Sequence, residues 1–372
     1  MKIAMIGHKR IPSREGGVEI VVSELSKRMV KLGNEVTAYN RKSEHIAGKE
    51  HSVDFEMKNW EGVNLVWVPT PNSSKLNAIV YSFCATMKAV TKNYDVIHFH
   101  AEGPASMVLL AKLFKKRCIV TIHGLDWQRS KWGGFATEFL KFGEKTAAKH
   151  ADEVIVLSQN VKDYFKNTYN RETVFIPNGI SPAENRNANI IKNKYNLSKD
   201  EYILFLGRLV PEKGVHYLID AYKNLETDKK LVIAGGSSHT SEYEMQLKES
   251  AENSQNIIFT GFVEGEELDE LYSNAYIYCL PSDLEGMPIS LLEAMSYGNC
   301  CLTSDISECT EVCEDNAIYF KKSDISDLTQ KLKHLLHNDD EVHKLKSNAA
   351  EFILNKYNWD KVCNETLKLY NK

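Results

Sequence analysis

The chain has 372 residues, of which 43% are hydrophobic and 26% are charged, and this composition excludes a disordered or low-complexity protein. Its formal net charge of -4 argues against a general nucleic-acid-binding protein, because such proteins carry an excess of Lys and Arg. The length favours two domains, each large enough to bury its own core.

The cysteines and the apolar runs indicate the cellular compartment of the protein. The eight cysteines are scattered, and none shows the paired CxxC spacing of a zinc site. Because the sequence shows no secretory leader, we expect reduced thiols and a cytoplasmic protein. The apolar runs have strand length, far below the roughly 20 residues that a membrane-spanning helix needs. Any membrane contact is therefore expected from the surface, at the inner face of the plasma membrane.

The N-terminal part of the chain is predicted to open as a βαβ unit. A short apolar strand over residues 2–6 is followed by a loop that contains Gly16 and Gly17. In the next segment apolar residues recur at spacings of three and four, which indicates a helix that ends at Gly33. Further strands are predicted at residues 35–39, 95–99, 118–122 and 153–157. Helical stretches separate them, as a parallel doubly wound sheet requires.

A boundary is predicted where turn residues cluster around Pro177, Gly179 and Pro182, followed by a polar stretch at 184–194. A second alternating set follows, with strands predicted at residues 202–206, 230–234, 256–260 and 275–280. Two Rossmann-like halves in series create a cleft between them, and ligands bind beyond the carboxyl ends of the strands. The functional residues are therefore expected in loops that follow strands.

The segment from Glu285 to Glu293 carries the strongest functional pattern. Pro288 favours a helix start, because its fixed φ and missing N–H cost little there. The free N–H groups at such a start, including the region of Gly286 and Met287, form an anion site suited to a diphosphate. Carboxylates on either side make sense if each accepts hydrogen bonds from hydroxyls, one set on a sugar and one on a ribose.

This segment resembles the Glu-x7-Glu motif of retaining glycosyltransferases of family 4. The resemblance implies an α/β protein of GT-B fold, with two Rossmann-like doubly wound domains that face each other across a cleft. It also implies a C-terminal helix, near Tyr357 and Trp359, that crosses back to the first domain. An acceptor-side domain is then expected at 1–180 plus 357–372, and a donor domain at 181–356.

Two cations follow the first strand of the second half. Arg208 and Lys213, flanked by Gly207 and Gly214, resemble the family's pair that clamps the donor diphosphate. The departing diphosphate gains negative charge in the transition state, and fixed cations stabilise it without a metal. Most such pairs in an arbitrary sequence are surface residues, but their place after a strand favours function. No Asp-x-Asp motif is found near a strand end, so neither a metal nor another cofactor is expected.

Other positions match the family one at a time. Gly16 and Gly17 resemble the loop that approaches the donor phosphates, where a side chain would block access. His123, at a strand end, resembles the histidine that contacts the transferred sugar. Phe262 and Val263 resemble the stretch whose backbone receives the base. The glycine pair does not spell GxGxxG, which argues against the alternative of a nicotinamide-dependent oxidoreductase.

The acceptor side is less specific. Residues that follow His123 combine aromatics with cations, and the acceptor candidates among them are Asp126, Trp127, Arg129 and Trp132. Asp126 either contacts the acceptor or has a turn role. The aromatics from Trp127 to Phe142, together with cations at 112–117, suit either a peripheral contact with an anionic membrane or the core of an amphipathic helix.

The resemblance thus implies a retaining, metal-independent glycosyltransferase that uses a nucleotide-sugar donor. Its catalytic residues would be His123, Glu285, Arg208 and Lys213, with Glu293 on the ribose. The acceptor would be a lipid-linked or growing surface-polysaccharide glycan, and no nucleic acid is expected. The alternative is a non-catalytic GT-B scaffold or sugar sensor, which typically lacks one of the charged residues that this chain retains. Glycosyl phosphorylases and nucleotide-sugar epimerases of the same fold fit the pattern less well.

Overall fold

A computed structural model describes residues 1–42, 54–72, 76–129, 133–236, 241–252 and 254–372. The chain divides into two compact units. Unit 1 comprises Met1–Gly179 and Trp359–Lys372, and unit 2 comprises Ile180–Asn358. The divisions fall at 179/180 and 358/359, whereas the turn residues and the family resemblance place them at 180/181 and 356/357.

Within the described residues, unit 1 is built on an eight-stranded sheet. Its strands are β1 (Lys2–Ile6), β2 (Glu35–Lys42), β3 (Asn59–Trp60), β4 (Val63–Pro69), β5 (Val96–His100), β6 (Arg117–Ile122), β7 (Glu153–Val156) and β8 (Val174–Phe175). They lie in the order β3-β4-β2-β1-β5-β6-β7-β8. The short β3 is antiparallel to β4, and the other neighbours are parallel.

The helices between these strands cover the sheet. They are α1 (Gly17–Lys31), α2 (Asn77–Val90), α3 (Glu102–Ala105), α4 (Val108–Leu113), α5 (Phe135–His150) and α6 (Gln159–Tyr169). In α1 the buried apolar residues, such as Val22, Leu25 and Met29, recur at helical spacing and face the sheet core. Strand β1 is completely buried from Ile3 to Ile6, as parallel strands covered on both faces are.

Unit 2 repeats this architecture with a six-stranded parallel sheet among the described residues. Its strands are β9 (Tyr202–Leu206), β10 (Lys230–Ala234), β11 (Ile257–Gly261), β12 (Ile277–Leu280), β13 (Cys300–Ser304) and β14 (Ile318–Phe320). Their order is β11-β10-β9-β12-β13-β14. The helices are α7 (Ile190–Tyr195), α8 (Val215–Lys223), α9 (Ser241–Ala251), α10 (Gly265–Asn274), α11 (Ile289–Ser296), α12 (Ser307–Cys313), α13 (Ile325–Leu336) and α14 (Asp339–Lys356).

The last helix, α15 (Trp359–Tyr370), belongs to unit 1. Its apolar face packs on α1, and the Tyr370 hydroxyl lies 2.6 Å from Nδ1 of His98 on β5. Arg117 on β6 donates to the Leu369 carbonyl at 2.7 Å. The C-terminal segment is therefore an integral part of the unit 1 core.

Each sheet has one point where the strand order reverses. In unit 1 it lies between β1 and β5, and in unit 2 between β9 and β12. Ligands of doubly wound folds bind at the carboxyl ends of the strands there. A glycine marks each point, because the neighbouring backbone is so close. A Cβ on Gly7 would lie 2.2 Å from the His100 carbonyl oxygen, and one on Gly214 would lie 2.0 Å from that of Pro281.

Several helices and strands differ from those that the sequence predicts. Strand β2 continues past residue 39 to Lys42, and α7 covers the end of the polar stretch at 184–194, where no helix is predicted. Helix α11 begins at Ile289, so Pro288 precedes the first helical residue instead of occupying it. The residue has an extended ψ of 99°, which the helix interior does not permit. Strands β3, β4, β8, β13 and β14 lie outside the predicted set.

Candidate active site

The loops that follow β9 and β12 bring two predicted residues together in unit 2. The Lys213 ammonium lies 2.5 Å from Oε1 of Glu285, and the Ser282 hydroxyl donates to the same oxygen at 2.6 Å. The two charged side chains are only 12% and 8% exposed. A charge-assisted hydrogen bond with this little water is stronger than a surface ion pair. The pair therefore holds both side chains in place at the switch point.

Backbone contacts explain why these two loops stay in register. The Asp283 N–H donates to the Glu212 carbonyl at 2.9 Å. Gly214, with a φ of +66°, permits the close approach to Pro281 described above. The Ser304 hydroxyl donates to the Ser282 carbonyl at 2.5 Å. Lys213 and Glu285 are thus positioned by their own main chains.

The other predicted donor-binding residues of unit 2 lie on the same carboxyl side of the sheet or on α11. Arg208 is half-buried directly after β9, where the Leu209 N–H donates to Gly236 at 3.1 Å. Phe262 and Val263 directly follow β11. The residues Gly286, Met287 and Pro288 are buried and lead into α11. The Leu291 and Leu292 N–H groups donate to the Pro288 carbonyl, and the first N–H groups of a helix have no partner one turn back.

Glu293 lies within α11, eight residues after Glu285. It is buried, and the Tyr272 hydroxyl donates to its Oε2 at 3.1 Å. The Tyr272 ring stacks on Tyr297, with ring centroids 5.2 Å apart. The two glutamates therefore have different partners, a cation for Glu285 and a tyrosine hydroxyl for Glu293.

In unit 1, His123 directly follows β6 and contacts another histidine. Its Nε2 lies 3.1 Å from Nδ1 of His100, and His100 stacks on His98 with ring centroids 4.2 Å apart. Burial lowers the pKa of His123 to about 4 and that of His98 to about 3. At neutral pH these imidazoles are therefore uncharged, and His123 has the properties of a neutral hydrogen-bonding group.

Sequence reasoning missed His8, His98 and His100. The last two alternate on β5, and a period of two places both side chains on one face of a sheet. His8 lies two residues after the end of β1, and its Nε2 lies 2.9 Å from Oδ1 of Asn40. The alternating histidines were the available signal.

The glycine loop of unit 1 is organised by a buried glutamate. Gly17 begins α1 and Gly16 precedes it in extended conformation. Glu19 accepts a hydrogen bond from the Lys9 N–H at 2.8 Å. A Cβ on Gly16 would lie 2.6 Å from Oε2 of Glu19, so a side chain there would have to displace this carboxylate.

The acceptor candidates are held by two buried carboxylates that sequence reasoning did not identify. The Asp126 N–H donates to Glu102 at 3.0 Å, and the Asp126 side chain pairs with Arg129 at 2.7 Å. The Trp127 Nε1–H donates to Glu144 at 2.9 Å. Asp126 thus has a local turn role at the start of a short 3-10 turn. Trp132 lies outside the described residues.

Glu144 is completely buried on α5 and has two further donors, the hydroxyls of Tyr164 at 2.8 Å and Tyr169 at 2.5 Å. The Lys141 ammonium lies 4.9 Å from the Trp127 ring centroid. The indole of Trp127 is therefore held at its nitrogen and along one face. This leaves a positioned aromatic in the segment that follows His123.

The aromatics of α5 divide between surface and core. Phe135 is 78% exposed and Phe142 is 50% exposed, whereas Phe139 is half-buried against α3. The neighbouring cations are largely engaged. Lys112 pairs with Asp152, and Lys116 donates to the carbonyl of Lys92. The exposed aromatics are thus accompanied chiefly by the α5 cations Lys145 and Lys149, which lie on its exposed face.

Two properties of the described ranges bear on membranes and metals. None of the helices there is long and apolar enough to cross a membrane. Those ranges also contain no grouping of three or more His, Cys, Asp or Glu side chains that would hold a metal ion. All eight cysteines are free thiols.

Two doubly wound α/β units, with candidate functional residues at the switch point of each sheet, have the architecture of the GT-B fold. Structural comparison gives the same fold. The chain superimposes on sucrose-phosphate synthase from Thermosynechococcus elongatus with a TM-score of 0.85 and 20% identity, covering 100% of this chain and 98% of that one.

Sequence comparison identifies the family. Residues 15–184 match the model of Glycosyltransferase Family 4, and residues 187–352 match that of Glycosyl transferases group 1. An uncharacterized glycosyltransferase of Methanocaldococcus jannaschii is 26% identical over 396 residues, covering 100% of this chain and 98% of the relative. The UDP-Gal:alpha-D-GlcNAc-diphosphoundecaprenol alpha-1,3-galactosyltransferase of Escherichia coli is 26% identical over 298 residues, covering 75% and 76%. The chain belongs to glycosyltransferase family 4.

Proposed function

We propose that this enzyme transfers a sugar from a nucleoside-diphosphate donor to a hydroxyl of a lipid-linked or growing surface-polysaccharide glycan, with retention of anomeric configuration and without a metal ion. The observation that carries the proposal is the Lys213–Glu285 pair, which lies beside the start of α11 at the switch point of unit 2. A lipid-linked acceptor is supported by the relative from Escherichia coli, whose name specifies a diphosphoundecaprenol substrate.

The cations of unit 2 are assigned to the leaving group. Lys213 and Arg208 bind the diphosphate, and the N–H groups at the start of α11 add donors to it. Fixed cations stabilise the charge that develops as the glycosidic bond breaks, which is the role a divalent ion has in other transferases. This assignment requires Lys213 to share its donors between Glu285 and phosphate, and an ammonium has three.

The carboxylates and His123 are assigned to the sugars. Glu285 and His123 contact the transferred sugar, and Glu293 accepts from the ribose hydroxyls. The backbone of Phe262 and Val263 receives the base, while Gly16 and Gly17 allow the donor phosphates to approach. The acceptor hydroxyl attacks from the face that the nucleotide leaves, and a donor phosphate oxygen takes its proton. No protein base is then needed, in agreement with the low pKa of His123.

The decisive experiment is nucleotide release by the purified protein from a panel of UDP-, GDP- and dTDP-sugars, with and without a chelator. We expect release of the nucleoside diphosphate from one donor, at the same rate in both conditions, and a product whose anomeric signal has the donor's configuration. A strict requirement for a divalent ion would refute metal independence. An inverted product would refute the assigned geometry of attack.

We also assign a peripheral membrane contact to unit 1, through the exposed face of α5 and the end of α4. Phe135 and Phe142 lie on one side of α5 with Lys145 and Lys149, and Leu113 of α4 is 80% exposed. Apolar side chains with adjacent cations suit the interface of an anionic bilayer, where the rings enter the acyl boundary and the ammonium groups contact phosphates. A membrane-bound acceptor would then be reached from the surface.

Vesicle flotation tests this contact. We expect binding to vesicles that contain anionic phosphatidylglycerol at low salt, weaker binding to pure phosphatidylcholine, and loss of binding in the double variant Phe135→Ser, Phe142→Ser. The matched control is Met245→Ser, which removes an apolar side chain of unit 2 that is 58% exposed. Equal binding by the double variant and the control would exclude α5 as the contact.

A further inference from the structure

The imidazoles of His100 and His123 meet because of the register between two strands. His100 is paired with Thr121, and His98 with Ile119, in the parallel ladder of β5 and β6. Residues two apart share a face, so His123 extends the row that begins at Thr121 and lies on the same side as His100. The result is the 3.1 Å contact between Nδ1 of His100 and Nε2 of His123.

One proton must lie between these two nitrogens, and the far side of His100 decides which ring carries it. Nε2 of His100 is buried and has no hydrogen-bond partner among the described residues. A buried N–H without an acceptor is rarer and more costly than a bare acceptor nitrogen. The proton of the neutral His100 ring is therefore on Nδ1, where it has a partner. His100 donates and Nε2 of His123 accepts.

His8 shows independently that this unit tolerates a bare buried nitrogen. The orientation of Asn40 is set by the backbone of Ile11, which donates to Oδ1 at 3.0 Å and accepts from Nδ2 at 2.8 Å. Oδ1 is thus an acceptor, and the His8 nitrogen that faces it must carry the proton. The other nitrogen of His8, Nδ1, is then bare, buried and without a partner in the described chain.

We propose that His100 is a positioning residue that holds His123 in the tautomer with its proton on Nδ1, so that His123 offers an N–H donor and not a base. A neutral His123 whose Nε2 accepts from His100 has only Nδ1 left to carry its proton. An N–H donor suits a sugar hydroxyl oxygen. The link to the sugar rests on the proposed function, whereas the tautomer itself does not.

Nitrogen NMR of the full-length protein labelled at histidine tests the tautomer directly. We expect Nδ1 to be the protonated nitrogen and Nε2 the bare nitrogen in both His100 and His123 at pH 7. His8, with its proton on Nε2, is the internal reference of the opposite type. A proton on Nε2 of His123 would overturn the proposal, whatever the activity of the enzyme.

Three variants test the positioning role. His100→Asn places an amide N–H near the position of Nδ1, and we expect it to keep the His123 tautomer and most of the turnover. His100→Leu removes the donor, and we expect mixed tautomers and a kcat lower by about 10- to 100-fold, as when other side chains that orient a histidine are lost. Tyr370→Phe removes only the hydroxyl that contacts Nδ1 of His98, and the His123 tautomer and kcat should stay unchanged.

The outcomes separate the two proposals. Normal kcat in His100→Leu would overturn the positioning role. Normal kcat in His123→Ala would instead refute the contact of His123 with the sugar, which belongs to the proposed function, while the NMR result would still decide the tautomer. If His100→Leu does not fold, the wild-type spectra and His100→Asn decide the matter, since loss of the Nδ1 proton in that variant would contradict it.

Discussion

The switch points of the two units have the same topology and opposite chemistry. In unit 1 the loops after β1 and β6 contribute His8 and His123, and the last residue of β5 is His100. Burial keeps all three rings uncharged at neutral pH. In unit 2 the loops after β9 and β12 contribute a cation and a carboxylate 2.5 Å apart. The fold therefore specifies where functional residues lie, and the side chains specify whether that place is neutral or charged.

This difference predicts different weaknesses. The stability of unit 1 requires its buried imidazoles to be uncharged, since each would become a buried charge without a counterion in acid. Unit 2 depends on the presence of a charge, since removing Lys213 leaves a nearly buried carboxylate without its cation. Acid should therefore disturb the stability of unit 1, and truncation of a cation should disturb the chemistry of unit 2.

The largest expected effect is loss of unit 1 stability in acid. Burial lowers the pKa of His8 and His123 to about 4 and of His98 to about 3, below the ordinary value of 6.5. The unfolded chain thus binds protons that the folded unit does not. The contribution of these groups to the free energy of unfolding is fully present above pH 6.5. It falls as the pH drops towards 4, by up to about 1.4 kcal/mol per pH unit for each imidazole.

Tryptophan fluorescence isolates this effect, because all five tryptophans lie in the sequence of unit 1, at positions 60, 67, 127, 132 and 359. In urea unfolding, the free energy of unfolding should fall steeply from pH 7 to pH 5. His98→Gln should reduce this fall by about the contribution of one imidazole. His150→Gln, which changes an exposed histidine at the end of α5, should leave the slope unaltered. Burial raises the pKa of Glu102, which acts in the opposite direction. A pH-independent midpoint would contradict the prediction.

The second prediction concerns the cation of unit 2. Lys213→Ala should lower kcat by about 10²- to 10³-fold, the usual effect of removing one group that stabilises transition-state charge. Donor KM should change less, because the charge develops during bond cleavage. Initial rates of nucleotide release give both constants.

The control for Lys213→Ala is Lys248→Ala, which breaks an exposed pair with Glu244 on α9 and should leave both constants unchanged. Thermal unfolding of Lys213→Ala checks that the fold persists. A rise in KM with normal kcat would show that Lys213 only binds the donor. Lys213 would then have no role in the chemical step.

The sequence predicts most of unit 1 and unit 2 because their strands are short apolar runs between turn residues, a local signal. It misses β13, Cys300–Ser304, because Cys, Thr and Ser do not form an apolar run, although every residue there is buried. It places Lys213 and Glu285 in strand-end loops but not beside each other. Their contact depends on the approach of Gly214 to Pro281, which is a property of the folded backbone.

The imidazoles of unit 1 show the same limit more clearly. The strand that contains His98 and His100 is predicted, yet the two rings become a set with His123 only through the register of β5 against β6. Their neutrality arises from burial, which depends on the whole unit. Likewise, the segment after His123 reveals Trp127 but not Glu144, whose donors come from two stretches of the chain, Trp127 after β6 and two tyrosines of α6.

The third prediction separates the two glutamates of unit 2. Glu293→Ala should raise donor KM by about 10-fold or more, because a hydrogen bond to a charged group contributes about 1.5–3 kcal/mol, and kcat should fall less. Glu285→Ala should mainly lower kcat. Tyr272→Phe removes the hydroxyl that contacts Glu293 and should give a smaller change in the direction of Glu293→Ala. Equal effects of the two alanine variants on kcat and KM would refute the division of roles.

The prediction with the smallest expected effect concerns whether unit 1 also positions the acceptor. Trp127→Phe removes the N–H that donates to Glu144, while the Tyr164 and Tyr169 hydroxyls remain. Unit 1 should lose about 1–2 kcal/mol of unfolding free energy, since the carboxylate keeps two of its three donors. The acceptor KM should rise, because the ring loses the bond that orients it, and donor hydrolysis without acceptor should continue at its former rate.

The matched control for Trp127→Phe is Tyr164→Phe, which removes one donor from the same carboxylate and leaves the Trp127 bond intact. Both variants should lower stability by similar amounts, and only Trp127→Phe should change the acceptor KM. If both variants raise the acceptor KM equally, Glu144 acts through the packing of α5, and Trp127 has no separate contact with the acceptor. If neither does, the acceptor lies elsewhere, and Trp127 has no role in binding it.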